Sequence, residues 1–280
     1  MKIATTGTTS LEGDILVYHG EYKDIIPRIS YAGYEAVELH ISDSSEIDRE
    51  KLWKLLTDYH VSLTSIGTGA VYEAKHYNLG DHDRRIRRAA IQHLKQHMIT
   101  AQPFHALVII GLAAGRFSDA DSPEEFKKNL TDSLHHLDEL AEGYDISLGL
   151  EIMNRFESDY LTTIAQGIDF LKQERFQRIL LHIDTVHMNI EEADIGKAIR
   201  QAKGCIGHVH VSDNDRYYPG HGHYNFYETL KALYDIGYDG TLALETNRLP
   251  DTETSAGKSL IYLNRMIDRI ERENMEKIDG

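Results

Sequence analysis

The chain alternates between two kinds of segment. Eight short apolar runs, Lys2–Gly7, Ala36–His40, Ser62–Gly67, Ala106–Gly111, Ile146–Glu151, Ile179–Asp184, Ile206–Val211 and Thr241–Glu245, are separated by longer amphipathic stretches. Most runs are rich in Ile, Val and Leu with little polar alternation, as in strands buried on both faces of a parallel sheet. Helical spacing is predicted over Tyr22–Ala32, Glu46–Tyr59, Asp83–Ala101, Ser122–Gly143, Thr162–Gln173, Glu191–Lys203, Tyr224–Ile236 and Thr254–Glu273. Ser122-Pro123-Glu124-Glu125 supplies a cap, a first-turn proline and acidic residues at a helix start, and Gly143 is expected to end that helix. Parallel strands need crossover connections, so this alternation over 280 residues predicts an α/β fold, a closed (β/α)8 or TIM barrel, as one domain spanning 1–280. A doubly wound open sheet is the alternative. Against it, Gly7-Thr8-Thr9-Ser10-Leu11-Glu12-Gly13 carries neither a dinucleotide fingerprint nor a phosphate-loop lysine.

The formal net charge of −15 repels polyanions and argues against a nucleic-acid partner. The densest basic run, Arg84-Arg85-Ile86-Arg87-Arg88, lies in a helical pattern and reads as a solvated face. A single cysteine, Cys205, excludes an intrachain disulfide. No apolar run reaches bilayer length, and the first residues do not form a signal peptide. A cytoplasmic location with no membrane partner is therefore expected.

In a barrel, residues at the C-terminal ends of the strands converge on one face. The last four runs end at or near Glu151, Asp184, His210 and Glu245. One strand-end carboxylate means little, but three carboxylates and an imidazole on four successive strands make a metal-ligand set. Crowded carboxylates repel one another unless a cation neutralises them. The oxygen-rich donors favour one Mn²⁺ or Mg²⁺ ion, with Co²⁺ also suited, over a structural zinc.

Further polar groups follow the same strands. Glu157 lies six residues past Glu151, His187 three past Asp184, and Arg216 six past His210 in a loop marked by Pro219-Gly220 and Gly222. His187 and Arg216 could hold a substrate oxygen, and Glu157 could orient a hydroxyl. Each also fits a surface salt bridge. His208 is expected to face the helix layer and is given no catalytic role. His182 is expected to be a hydrogen-bonded core histidine, and His221 and His223 to be loop residues.

The strings Asn154-Arg155-Phe156-Glu157 and Asp184-Thr185-Val186-His187-Met188-Asn189-Ile190-Glu191-Glu192 are long and specific. With Gly207-His208-Val209-His210 through Arg216 and Pro219-Gly220, they resemble the D-tagatose 3-epimerase / D-psicose (allulose) 3-epimerase group. That group belongs to the xylose-isomerase-like sugar (phosphate) isomerase/epimerase superfamily of TIM barrels. Tyr238-Asp239-Gly240-Thr241, leading to Glu245, resembles the group's last strand. The resemblance is clear from about residue 146 to 245. It implies that Glu151, Asp184, His210 and Glu245 hold the metal. It implies that Glu151 and Glu245 are also the acid/base pair on opposite faces of a ketose C3. It further implies that Glu157, His187 and Arg216 hold the sugar near O1 and O2, and that the chain forms a dimer or tetramer.

The chain departs from that group in Val211-Ser212-Asp213-Asn214-Asp215-Arg216, which is more acidic, and in Thr246-Asn247-Arg248-Leu249. The loops Thr6–Gly13, Gly67–Tyr72 and Gly111–Phe117 match nothing assignable, so the far end of the substrate, and whether it is a sugar or a sugar phosphate, stays open. Arg116 and Arg248 are candidates to meet an anion. The alternatives are an aldose–ketose isomerase on the same site, an endonuclease IV-like nuclease, disfavoured by the charge, and a non-catalytic sugar-binding barrel.

Overall fold

A computed structural model describes residues 1–10, 15–69, 72 and 75–279. Eight parallel strands form the barrel: β1 (Lys2–Thr8), β2 (Ala36–His40), β3 (Ser62–Gly67), β4 (Leu107–Ile110), β5 (Leu148–Glu151), β6 (Ile179–Asp184), β7 (Ile206–Val211) and β8 (Thr241–Leu244). Each pairs with its sequence neighbour, and β1 pairs with β8 from Lys2↔Thr241 to Thr5↔Leu244, which closes the sheet. A two-residue strand, Tyr18–His19, extends that seam by pairing with Gly7 and Thr8 of β1. It is not among the eight expected strands, although it follows the apolar residues Ile15-Leu16-Val17. The part of the Thr6–Gly13 loop from residue 11, and residues 70 and 71 of the Gly67–Tyr72 loop, lie outside the described residues.

The helices among the described residues are α1 (Tyr22–Tyr31), α2 (Arg49–Asp58), α3 (Arg84–Ala101), α4 (Pro123–Tyr144), α5 (Ile164–Glu174), α6 (Thr185–Glu191), α7 (Ile195–Gln201), α8 (Phe226–Asp235) and α9 (Thr252–Asp279). Side-chain caps set their starts. Ser122 Oγ accepts from Glu125 N at 3.1 Å, and Asp48, Asp83 and Asp194 do the same for α2, α3 and α7. Four boundaries differ from expectation, the first being that α9 runs on to Asp279 rather than ending at Glu273. Residues 46–48 precede α2 because Asp48 takes the cap position. Gly143 lies inside α4, which ends on Asp145 in the left-handed region at φ 53°. The helix expected over 191–203 is the shorter α7, and a separate helix not expected from the sequence, α6, starts directly after Asp184 and ends at Glu191.

A large apolar core lies between the strands and the helices. A separate small cluster of Ala4, Ala36 and Ala243 comes from β1, β2 and β8. Side chains two apart on a strand share a face, so Ala36, Glu38 and His40 point the same way. Glu38 Oε2 lies 2.7 Å from His208 Nε2, although β2 and β7 are not neighbours in the sheet. Such a contact spans only the barrel interior. His208 therefore faces inward with His210, not toward the helices, and the expectation for it is corrected: strand period two puts residues 208 and 210 on one face.

Candidate active site

The C-terminal ends of the strands border a cavity of about 590 Å³ lined by Glu151, Glu157, His187, His210, Arg216 and Glu245, among others. Glu151 and Asp184 end β5 and β6, His210 is the penultimate residue of β7, and Glu245 follows the last residue of β8. Glu151, Asp184 and His210 each offer a ligand atom within 4.8 Å of the others. Glu245 Oε2 joins them, 3.5 Å from His210 Nδ1. Asp184 is fully buried beneath Arg216, whose Nη1 donates to Asp184 Oδ2 at 2.6 Å and to Glu245 Oε2 at 2.8 Å. The seven residues singled out in the sequence are thus neighbours at one mouth of the barrel. Arg116 and Arg248 do not line the cavity.

Local structure aims each group. Asp184 is the N-cap of α6: its Oδ1 accepts from Val186 N at 2.6 Å, which leaves Oδ2 toward the site. Glu151 lies against Gly111, where a Cβ would come within 2.4 Å of Glu151 Oε2. Arg216 sits at φ 61°, in a loop wound about the fully buried carboxylate of Asp213. That carboxylate accepts from Asn214 N, Gly220 N and Tyr224 N at 2.8–3.0 Å. The acidic character of this stretch is therefore structural in part. Asp215 pairs with His221 at 2.8 Å on the loop's exposed side.

The Asn154-Arg155-Phe156-Glu157 string folds into a turn that couples β5 to α6. Asn154 Oδ1 accepts from Phe156 N at 2.9 Å, so its amide nitrogen faces His187 Nδ1 at 2.7 Å and Glu157 Oε1 at 3.0 Å. This network makes His187 Nδ1 an acceptor and assigns the ring proton to Nε2, 3.5 Å from Glu151 Oε1. Arg155 is held outside the cavity by Glu191 through Nε and Nη2, both at 2.8 Å.

Sequence reasoning missed Glu38. It is fully buried inside the barrel, and its two oxygens make four contacts. Oε1 takes His40 Nε2 at 2.7 Å and His210 Nε2 at 2.8 Å. Oε2 takes Ser65 Oγ at 2.6 Å and His208 Nε2 at 2.7 Å. Burial alone would raise this carboxyl, but His210 and His208 hold it well below its ordinary value. Its four acceptor positions are filled, so Glu38 supports other side chains. The only available signal was a glutamate in the apolar run Ala36-Val37-Glu38-Leu39-His40. His182 was expected to be hydrogen-bonded, yet among the described residues neither of its ring nitrogens makes a hydrogen bond. Its Nε2 lies 3.5 Å from Glu151 Oε1, and its ring stacks on His208 with centroids 5.0 Å apart.

The donor set suits a hard or borderline divalent cation. With Nε2–H of His210 given to Glu38, Nδ1 is the ring atom left toward the carboxylates. That atom is buried without a hydrogen bond and faces Glu245 Oε2 at 3.5 Å and Asp184 Oδ2 at 3.9 Å. A buried polar atom left unpaired costs about 1–3 kcal/mol, and a cation among these anionic oxygens would satisfy it. Burial would raise the carboxyls of Glu151 and Glu245. Instead His182 and His187 hold Glu151, and His210 and Arg216 hold Glu245, below the usual carboxylate range. Two other close groups, His182–His208–His210 and Glu38–His40–His210, share His210 and direct ring nitrogens at Glu38.

A closed parallel barrel with a carboxylate–histidine cluster at the strand C-termini defines the class, and comparison with known proteins agrees. The chain belongs to the xylose isomerase-like TIM barrel family, which it matches over residues 26–266. An L-ribulose 3-epimerase from Mesorhizobium japonicum is 31% identical over 248 residues, covering 85% of this chain and 80% of that protein. A D-psicose 3-epimerase from Ruminiclostridium cellulolyticum is 29% identical over 236 residues, covering 81% and 79%. The solved structure of an L-ribulose 3-epimerase superposes with a TM-score of 0.87 at 26% identity, covering 100% of this chain and 99% of that one. These relatives are ketose 3-epimerases, enzymes of the isomerase class.

Proposed function

We propose that the chain is a divalent-metal-dependent ketose 3-epimerase acting on an unphosphorylated sugar. The strongest support is that two carboxylates held ionised, Glu151 and Glu245, border one cavity from β5 and β8, with Asp184 and His210 between them on β6 and β7. Inverting a carbon beside a carbonyl requires a proton to leave one face and another to arrive on the opposite face. One base tends to return the proton to the face it left, whereas two bases invert the centre in a single pass. One glutamate, ionised, removes the C3 proton to give an enediolate; the other takes up one proton from solvent before turnover and delivers it to the opposite face, and the pair resets by proton exchange with solvent. The substrate's configuration decides which acts first.

Glu151, Asp184, His210 and Glu245 would hold the ion, Mn²⁺ by preference among oxygen-seeking cations. When bound, a divalent cation polarises the C2 carbonyl and stabilises negative charge on the substrate oxygens. His187 presents Nε2–H beside Glu151, and Asn154 fixes that ring. With Glu157 at the rim and Arg216 at the opposite carboxylates, it holds the O1 and O2 end of the sugar. General acid–base catalysis contributes about 10²–10⁴-fold, so charge stabilisation supplies much of the remainder.

The cations around the cavity disfavour a phosphate on the substrate. Among the described lining residues Arg216 is the one Lys or Arg, and Asp184 and Glu245 already engage it. Leu11–Asp14 and residues 70, 71, 73 and 74 include no Lys or Arg in the sequence.

The test is turnover of ketoses and ketose phosphates in D₂O with added Mn²⁺, read by NMR. Deuterium at C3 of an epimerised free ketose is expected. Label at C1 or C2, as in aldose–ketose isomerisation, or preference for the phosphate, would overturn the reading.

A further inference from the structure

His40 is a cavity-lining histidine to which the roles above give nothing to do. It ends β2, four strands around the barrel from β6, and therefore stands across the mouth from Asp184 and His187. Its Nε2 is 2.7 Å from Glu38 Oε1. Nε2 is the ring nitrogen that donates to the Glu38 carboxylate, which leaves Nδ1 as the nitrogen free to accept from a ligand. Among the described residues that Nδ1 has no hydrogen-bond partner, and the side chain retains 17% of its exposure.

A second observation shows that the ring's position is built. His40 pairs in register with Gly67, the last residue of β3. A Cβ at Gly67 would lie 2.5–2.6 Å from His40 Cε1, Nδ1 and Nε2, so the imidazole rests on a bare Cα. Any side chain there would lift the ring off. The ring also stacks on His210, with centroids 6.5 Å apart and planes at 26°. One fully buried carboxylate thus anchors His210 toward the carboxylate cluster and His40 toward the open cavity. Among the described residues, the cavity wall nearby includes apolar and hydroxylic side chains: Ile15, Leu16, Ile109, Thr8, Ser42 and Thr68.

We propose that His40 is a specificity-determining residue whose Nδ1 accepts a hydrogen bond from a hydroxyl on the C4–C6 end of the ketose, with Glu38 and Gly67 fixing the ring for that contact. The inference rests on the epimerase reading, because the O1 and O2 end then lies on the His187 side and the remaining carbons extend across to β2. Its consequence is that the enzyme distinguishes sugars by a hydroxyl remote from the reacting carbon.

The test crosses enzyme variants with substrate variants. Manganese-loaded wild type, His40→Phe, His40→Gln and Gly67→Ala are assayed on a ketohexose and on its 4-deoxy, 5-deoxy and 6-deoxy analogues. His40→Phe is expected to lower kcat/KM on the parent sugar roughly tenfold, as for one hydrogen bond of about 1.4 kcal/mol, mostly through KM. On the one analogue lacking the contacted hydroxyl, the same change is expected to cost less than about twofold. His40→Gln, which keeps an acceptor, recovers part of the loss, and Gly67→Ala reproduces the selective pattern without removing the imidazole. Equal loss on every sugar, or no loss, overturns the role of His40 while wild-type turnover leaves the epimerase reading standing. Absence of ketose turnover by the wild type overturns both.

Discussion

At the residue scale, the site is a set of carboxylates whose charge the chain balances with one arginine and several imidazoles. Glu245 faces His210 and Arg216 while serving as one of the two proposed bases. Glu245→Gln is expected to lower epimerisation by about 10²–10⁴-fold at saturating Mn²⁺, with the metal titrated separately. Unchanged turnover of the metal-saturated variant would remove Glu245 from proton transfer. His210 carries a second prediction. Burial works against charge on its ring, but Glu38 and Glu245 raise its pKa well above the ordinary value. The metal-free ring thus holds a proton at neutral pH, and a cation bound to Nδ1 displaces it. Metal affinity is therefore expected to increase with pH, and calorimetry in buffers of different ionisation enthalpy should record protons released on Mn²⁺ binding. Much of this site was legible in the sequence because Glu151, Asp184, His210 and Glu245 close successive apolar runs. Glu38 and His40 were not, because they lie on β2, far from the specific strings, and a polar residue mid-strand looks the same whether it faces a packed core or a polar lumen. His208 shows how one parity decides a role: read as facing outward, it is a helix contact, whereas facing inward it completes the shell of Glu38.

At the scale of elements, the loop after β7 and the packing of α3 carry the consequences. Strand positions agreed with the sequence to within a residue or two because a buried parallel strand leaves a dense apolar run. Helix boundaries agreed less well: a cap such as Asp48 or Asp184 acts through one hydrogen bond, and many other aspartates offer the same signal. On α3, His97 is fully buried, with Nδ1 2.6 Å from Ser44 Oγ and Nε2 2.9 Å from His93 Nε2. Burial, with His93 adding to it, pushes its pKa down to about 3. The unfolded chain takes up that proton near the ordinary value of about 6.5, so unfolding binds a proton as the pH falls below it. His97 then contributes full stability above about pH 6.5 and loses it toward pH 3, at up to about 1.4 kcal/mol per pH unit. His97→Gln is expected to flatten the decline of Tm with acid over that window. Parallel curves for variant and wild type would show that the ring does not govern it.

At the scale of the molecule, Glu151, Asp184, His210 and Glu245 come from four strands, so whatever they bind joins half of the barrel. A ligand that binds only the folded state stabilises it by about 2.7 kcal/mol at one hundred times its dissociation constant. Added Mn²⁺ is expected to raise Tm and chelator to lower it, and an identical Tm with and without the ion would argue against a site at the strand ends. Among the described residues no helix is long and apolar enough to cross a membrane. The seam between β1 and β8 has a consequence for synthesis. β1 is made before the other barrel strands, yet its Lys2–Thr5 edge meets Thr241–Leu244 only after β8 has been synthesised, roughly 10–50 s later at about 5–20 residues per second. The Tyr18–His19 strand pairs with Gly7 and Thr8 on that seam, so part of the open edge can be covered within the first turn of the chain. The rest stays available to any other nascent strand until the last one arrives to exclude it.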